Sequence, residues 1–448
     1  MPFAHKAGRV LAAALTTSAL IALAACSSGT TAPTSGGGGG SGTAAAEDWS
    51  AKGPINYVQG KDTSGYIQSV IDKWNAQYPD QKVNLIELSD NADQQRQSMI
   101  NNAQTKGGSN YDVLSVDVVW TAEFAANGML AELPKDQLNL DGFLPAAVDA
   151  STYFNKLYAM PSTSDGALLY YRKDLLTAAG IDKPPTTWDE MVTDCKAVQA
   201  KNSGIDCYGG QFQKYEGLTC NITEWVNSAG TTFLSSDGKP QVNTPEAMKG
   251  VNTLVSWFKD GTIPKAATTW QEEQSRQAFQ DGKLVFLRNW PYVYSLANKT
   301  DGSSKVAGKF GVAPIPGLTG PGVSTLGGHN MGISEFSKNK GTALAFIKWW
   351  NSEENQKANL QKTSNAPTIV SLYSDPELTK QFAYLPTLYD SIKNAQGRPK
   401  VVNYGDATLA IQDAAYSAIQ YGVNGGTGTD PQAAFDTLQT KLTSIING

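Results

Sequence analysis

The chain has 448 residues, a formal net charge of −5 and 40% hydrophobic residues. That is enough apolar content to fill two or three packed domains. No Lys/Arg-rich run occurs, which excludes a nucleic-acid partner that would need clustered cations against phosphates. Of the 2 histidines, His5 and His329, only His329 lies beyond the N-terminal leader, so His/Cys metal sites and Ser-His-Asp catalysis have no support, and no metal or cofactor is expected.

The N-terminus opens with a basic start (His5, Lys6, Arg9), continues through an apolar stretch from Val10 to Leu23, and closes on Ala24 and Ala25. This stretch is too short and too rich in Ala and Thr for a comfortable transmembrane helix and has the form of a secretory signal peptide over residues 1–25. Leu23-Ala24-Ala25-Cys26 resembles the bacterial lipobox, which implies that Cys26 is lipidated and anchors the protein to a membrane. An ordinary signal peptide cut near Ala25 is the plainer alternative. Residues 26–48 include the run Gly36 to Gly40 and have nothing to bury. They are expected to act as a flexible tether outside the membrane.

From residue 49 onward strands and helices alternate, the pattern of a layered α/β protein. Ile55 to Val58 reads as a strand. Ile67, Val70, Ile71 and Trp74 recur at helical spacing before Pro79. Val83 to Leu88, a helix from about Asp93 to Gln104 and a strand ending at Val116 complete a βαβαβ unit. A second series contains strands at Leu168 to Tyr171, Tyr208 to Gln211 and Lys283 to Leu287, and a helix opened by Thr187 and Trp188. The end of the chain is mostly helical, with Leu409, Ile411, Ala415 and Ile419, then Phe435, Leu438, Leu442 and Ile445, as apolar faces. Cys195 lies on a helix and Cys207 just past its Gly204 stop, which favours a bridge between them in an oxidising compartment. Cys220 then reads as a buried thiol, although a Cys207 to Cys220 pairing stays open.

Several segments in this order resemble the solute-binding proteins of carbohydrate ABC importers, the maltose- and trehalose-binding group in particular. They are Tyr111-Asp112-Val113 with Asp117-Val118-Val119-Trp120, Leu169-Tyr170-Tyr171-Arg172, Pro185-Thr186-Thr187-Trp188, Tyr215-Glu216-Gly217-Leu218, Arg288-Asn289-Trp290-Pro291-Tyr292 and Gly327-Gly328. The resemblance covers nearly all of the chain beyond the tether. It implies a two-lobed fold with interleaved lobes, residues 49–164 and 324–376 forming one and 165–323 and 377–448 the other, which close on ligand by a hinge. It also implies permease subunits as partners, a monomer, and a place on the extracytoplasmic face of the membrane.

A sugar offers vicinal hydroxyls at its edges and weakly positive C–H groups on its faces. Carboxylates accept hydroxyl hydrogens, Arg donates a fork, and an aromatic ring stacks on the sugar face. Such residues fall at strand ends and loops, where open α/β sheets bind ligands. The candidates are Asp117 and Trp120 after one strand, Asp165 and Gly328 where the chain changes lobe, and Trp290 and Tyr292 after another strand. The resemblance adds Arg96, Tyr215, Glu216 and Arg398. Plainer readings stand beside these: Asp117 as a helix cap, Trp120 as core, Asp165 as a turn residue, Arg96 as a solvated cation. His329 follows the two glycines where some relatives carry a Trp, so a hydrogen-bonding ring replaces a stacking one. The rival class is an exported glycoside-active enzyme, which needs two carboxylates across a scissile bond; no local catalytic motif marks such a pair. The reading is therefore a non-enzymatic binder of an α-linked disaccharide, with a different oligosaccharide as the alternative ligand.

Overall fold

The structure, a computed structural model, describes residues 48–105 and 110–447. The leader, Cys26 and nearly all of the tether lie outside the described residues. Among the described residues there are eleven strands: β1 (Ile55–Gln59), β2 (Val83–Glu87), β3 (Val113–Asp117), β4 (Thr152–Tyr153), β5 (Lys156–Leu157), β6 (Ala159–Pro161), β7 (Leu168–Tyr171), β8 (Asp206–Gly209), β9 (Leu284–Asn289), β10 (Gly311–Pro314) and β11 (His329–Ile333). They build two main sheets, ordered β2-β1-β3-β11-β6 and β10-β7-β9-β8, while β4 and β5 form a small hairpin. Each main sheet is the centre of one lobe.

In the first sheet β1 pairs in parallel with β2 and β3, as βαβ crossovers require. Strand β11 returns from far along the chain and enters antiparallel between β3 and β6. Its register sets His329 opposite Asp117 at the carboxyl end of β3, the edge where α/β sheets place their ligands. Helices Ile67–Gln77 and Lys340–Trp350 cover one face through Ile71, Trp74, Phe346 and Ile347. Met99, Trp120 and Phe124 pack on the other.

The second sheet is likewise covered on both faces. One core joins β7 and β9 residues to Trp188, Ile222, Trp225, Leu254, Ile411 and Leu438; the other packs Phe279, Val293, Leu385 and Leu388 beneath Tyr170 and Leu287. Local chemistry sets the helix ends. Thr187 and Glu190 form a reciprocal capping box at the start of Trp188–Gln199. Thr244 caps Pro245–Asp260, Pro245 occupies its first turn, and Gly261 closes it in the left-handed conformation. One expectation fails here: Leu409 is 53% exposed, whereas Ala407, Ala410, Ile411, Ala414 and Ala415 are buried. Two residues along a helix turn a side chain about 200°, so Leu409 and Ile411 cannot share a face.

The chain passes between the sheets at 162–167 and again between β10 and β11. These passages lie side by side, with Asp165 N–H donating to Gly327 O at 3.0 Å and Gly327 N–H to Asp165 O at 2.9 Å. A third segment joins them where Leu326 N–H donates to Gln396 O at 2.9 Å and Gln396 N–H to Ser324 O at 2.8 Å. Gly328 has φ +109°, and a Cβ there would lie 2.2 Å from Thr163 O, so glycine is required for the close approach.

Cys195 and Cys207 are joined by a disulfide, and Cys220 is a buried free thiol. The bridge spans 12 residues, a loop for which chain entropy predicts about 3 kcal/mol of stabilisation. Replacing both cysteines with serine should lower the unfolding free energy by about that amount in a denaturant titration. An unchanged midpoint and slope would contradict it.

Candidate functional site

A cleft of about 510 Å³ runs between the two sheets, within the range of about 300–1,000 Å³ that suits a small organic ligand. Of the sequence candidates, Asp117, Asp165, Glu216, Trp290, Tyr292, Gly328, His329 and Arg398 line it. Strand ends place most of them: Asp117 closes β3, His329 opens β11 and Trp290 follows β9.

The first sheet and the second are tied together beneath this cleft by one guanidinium. Arg398, only two residues past the paired Gln396, has a side chain 1% exposed. Its Nη2 donates to Asp117 Oδ1 at 2.7 Å and its Nη1 to Asp117 Oδ2 at 3.1 Å, a two-point grip on the first lobe. Nη1 also donates to Glu216 Oε1 at 2.6 Å, at the start of helix Glu216–Asn227 in the second lobe. Thr408 donates to Glu216 Oε2 at 2.7 Å, and Tyr404 donates to Oε1. The Asp117 carboxylate also accepts from Val119 N–H at 3.2 Å, while the helix beginning at Thr121 has no side-chain cap.

Burial governs the acids gathered around this shared cation. Burial, reinforced by the Asp117 charge, pushes the Asp165 carboxyl up to about 7. Burial also holds Glu216 above the usual carboxylate range, against the pull of Arg398. For His329 burial lowers the imidazole below its ordinary value, against the pull of the Asp117 charge.

Trp290 has its ring centroid 4.0 Å from the Arg288 guanidinium carbon. Tyr292 donates its hydroxyl to Glu273 Oε1 at 2.6 Å.

Arg96, Trp120 and Tyr215 do not line the cleft. Arg96 is ion-paired with Glu123 and crosses the face of Gly405, where a Cβ would collide with its guanidinium. Trp120 is 1% exposed and stacks on Phe124 within the first lobe. Tyr215 is buried one layer back, donating to Glu272 Oε2 at 2.6 Å. Glu272 itself faces the cleft; so do Gln59, Asp62, Glu273 and Trp350, none of which the sequence reading singled out. The aromatic and acidic composition of the Gln271-Glu272-Glu273 and Trp349-Trp350 stretches was visible, but both sit in helices or at helix ends whose facing depends on tertiary packing. Among the described residues no group of three or more His, Cys, Asp or Glu is arranged to hold a metal, and no helix is long and apolar enough to cross a membrane.

The raised Asp165 value has a definite sign. A carboxyl whose folded value exceeds its unfolded one contributes most to stability below about pH 4, and the contribution is lost as the pH rises through about 7. Asp165→Asn should flatten the melting temperature against pH between 4 and 7 relative to the parent protein. Parallel curves for the two would show that Asp165 titrates as it does in the unfolded chain.

Comparison with known proteins places this geometry in a family context. The family model of the bacterial extracellular solute-binding proteins matches residues 59–357. A probable ABC transporter-binding protein of Deinococcus radiodurans is 34% identical over 349 residues, 75% of this chain and 80% of that protein. Among solved structures, maltose-bound MalE3 of T. maritima is 32% identical with a TM-score of 0.81, covering 87% of this chain and 99% of that one. A ribitol-bound ABC transporter solute-binding protein of Agrobacterium radiobacter K84 is 25% identical with a TM-score of 0.75, covering 88% and 98%.

Proposed function

The chain belongs to the family of bacterial extracellular solute-binding proteins, and from that premise we propose that its cleft encloses an α-linked disaccharide of the maltose or trehalose kind. It is the substrate-binding subunit of an ABC importer for sugars, an extracytoplasmic binding protein and not an enzyme. The observation that carries the finer reading is an indole platform, Trp290, lining the same cleft as the carboxyl oxygens of Asp117 and Asp165. Ring faces stack on the first, and hydroxyl hydrogens are accepted by the second. The likeness to maltose-bound MalE3 supports it.

The second reading is an acyclic polyol, as in the ribitol-bound relative and a mannitol-binding protein of Pseudomonas aeruginosa that is 28% identical over 70% of this chain. A polyol has no ring face for Trp290. Closure about the paired passages at Asp165, Gly327 and Gln396 would bury the ligand's hydroxyls, and each buried group left without a partner would cost about 1–3 kcal/mol. The chain is proposed to work as a monomer beside its permease, held at the membrane by a lipid on Cys26.

Melting the protein with maltose, trehalose, sucrose, cellobiose, raffinose, ribitol and mannitol separates these readings. Maltose or trehalose should stabilise the fold, by about 2.7 kcal/mol at a hundredfold excess over Kd, without turnover. A shift confined to the polyols, or to a β-linked sugar, would contradict the α-disaccharide reading.

A further inference from the structure

The indole that faces the cleft rests on a buried charge. Arg288 and Trp290 are two residues apart at the end of β9, a spacing that puts both side chains on one side of an extended chain. Arg288 is 1% exposed, and its guanidinium carbon sits 4.0 Å from the Trp290 ring centroid, in direct stacking contact. The guanidinium has no freedom of its own. Its Nε donates to Glu224 Oε2 at 2.7 Å, Nη2 pairs with the other Glu224 oxygen, and Nη1 donates to Gln211 Oε1 at 2.7 Å. Gln211 is pinned in turn, its amide donating to Ser275 Oγ at 2.9 Å. Glu224 also accepts from Thr325 N–H at 3.1 Å, in the passage between the lobes. At the ring edge a Cβ on Gly327 would lie 3.0 Å from Trp290 Cζ3, so the same passage bounds the indole laterally.

We propose that Arg288, fixed by Glu224 and Gln211, is a positioning residue for sugar recognition: it touches no ligand but holds the Trp290 ring in its binding orientation before ligand arrives. The role rests on the reading of the cleft as a saccharide site. A planar guanidinium suits it because a flat plate backs the whole indole, which an ammonium cannot. Without the plate the ring would turn about its side-chain bonds, and each binding event would have to order it.

The test needs variants that fold. Arg288→Lys keeps a cation for Glu224 and removes the plate. Glu224→Leu combined with Arg288→Met removes both buried charges together, an exchange that proteins commonly tolerate. With 5-fluorotryptophan incorporated, the Trp290 fluorine resonance is assigned by its loss in Trp290→Phe, and maltose affinity is measured by calorimetry. In both variants the ligand-free Trp290 resonance should shift or broaden while Trp74 and Trp120, in the other lobe, keep theirs, and maltose should bind at least tenfold more weakly. Folded variants with an unmoved Trp290 resonance, or with wild-type affinity, overturn the proposal. A parent protein that binds neither maltose nor trehalose overturns the saccharide reading instead, and the resonance still decides separately whether Arg288 fixes the ring.

Discussion

Helix Glu216–Asn227 is buried at every residue, yet it carries two carboxylates, Glu216 and Glu224. A charge taken out of water without a partner is costly enough that the fold must supply a cation to each. It supplies Arg398 to Glu216 and Arg288 to Glu224. Both cations come from the margins of the cleft, one just after the third paired passage and one at the end of β9. The need to satisfy a buried helix therefore determines where these two guanidinium groups stand.

What those cations do next differs. Arg398 reaches past Glu216 to Asp117, so that a carboxylate from each lobe converges on one guanidinium. The cleft wall there is acidic, and burial, with the Asp117 charge adding to it, raises both Asp165 and Glu216. A neutral ligand rich in hydroxyl groups is the complement of such a wall, since it brings hydrogen-bond donors without adding charge. Arg288 turns the other way and backs Trp290, supplying the apolar half of a surface suited to a ring with both faces and edges.

Much of the fold was legible because its signals are local. Ile67, Val70, Ile71 and Trp74 recur at helical spacing, Leu168 to Tyr171 forms a continuous apolar strand, and Thr187 with Trp188 opens a helix. Leu409 was misread because a run of apolar residues on a helix does not say which two lie on the same side. Strand ends pointed to Asp117 and Trp290, the resemblance pointed to His329, and the structure gathers them in one cleft. Sequence alone could not say which neighbour would claim a charge. Glu123 takes Arg96, Glu272 takes the Tyr215 hydroxyl, and the core takes Trp120. The same limitation hid Arg288, whose place two residues before Trp290 gives no sign of the stacking held by Glu224 from 64 residues away.

Asp117 and Glu216, from opposite lobes, share the Arg398 guanidinium. A double-mutant cycle with Asp117→Asn, Glu216→Gln and both together, read as unfolding free energy by denaturant titration, measures it directly. Sharing predicts a coupling of about 0.5–3 kcal/mol between the two substitutions, because each changes what the guanidinium offers the other. Additivity within about 0.3 kcal/mol would mean that the two carboxylates are held independently and that Arg398 does not join the lobes.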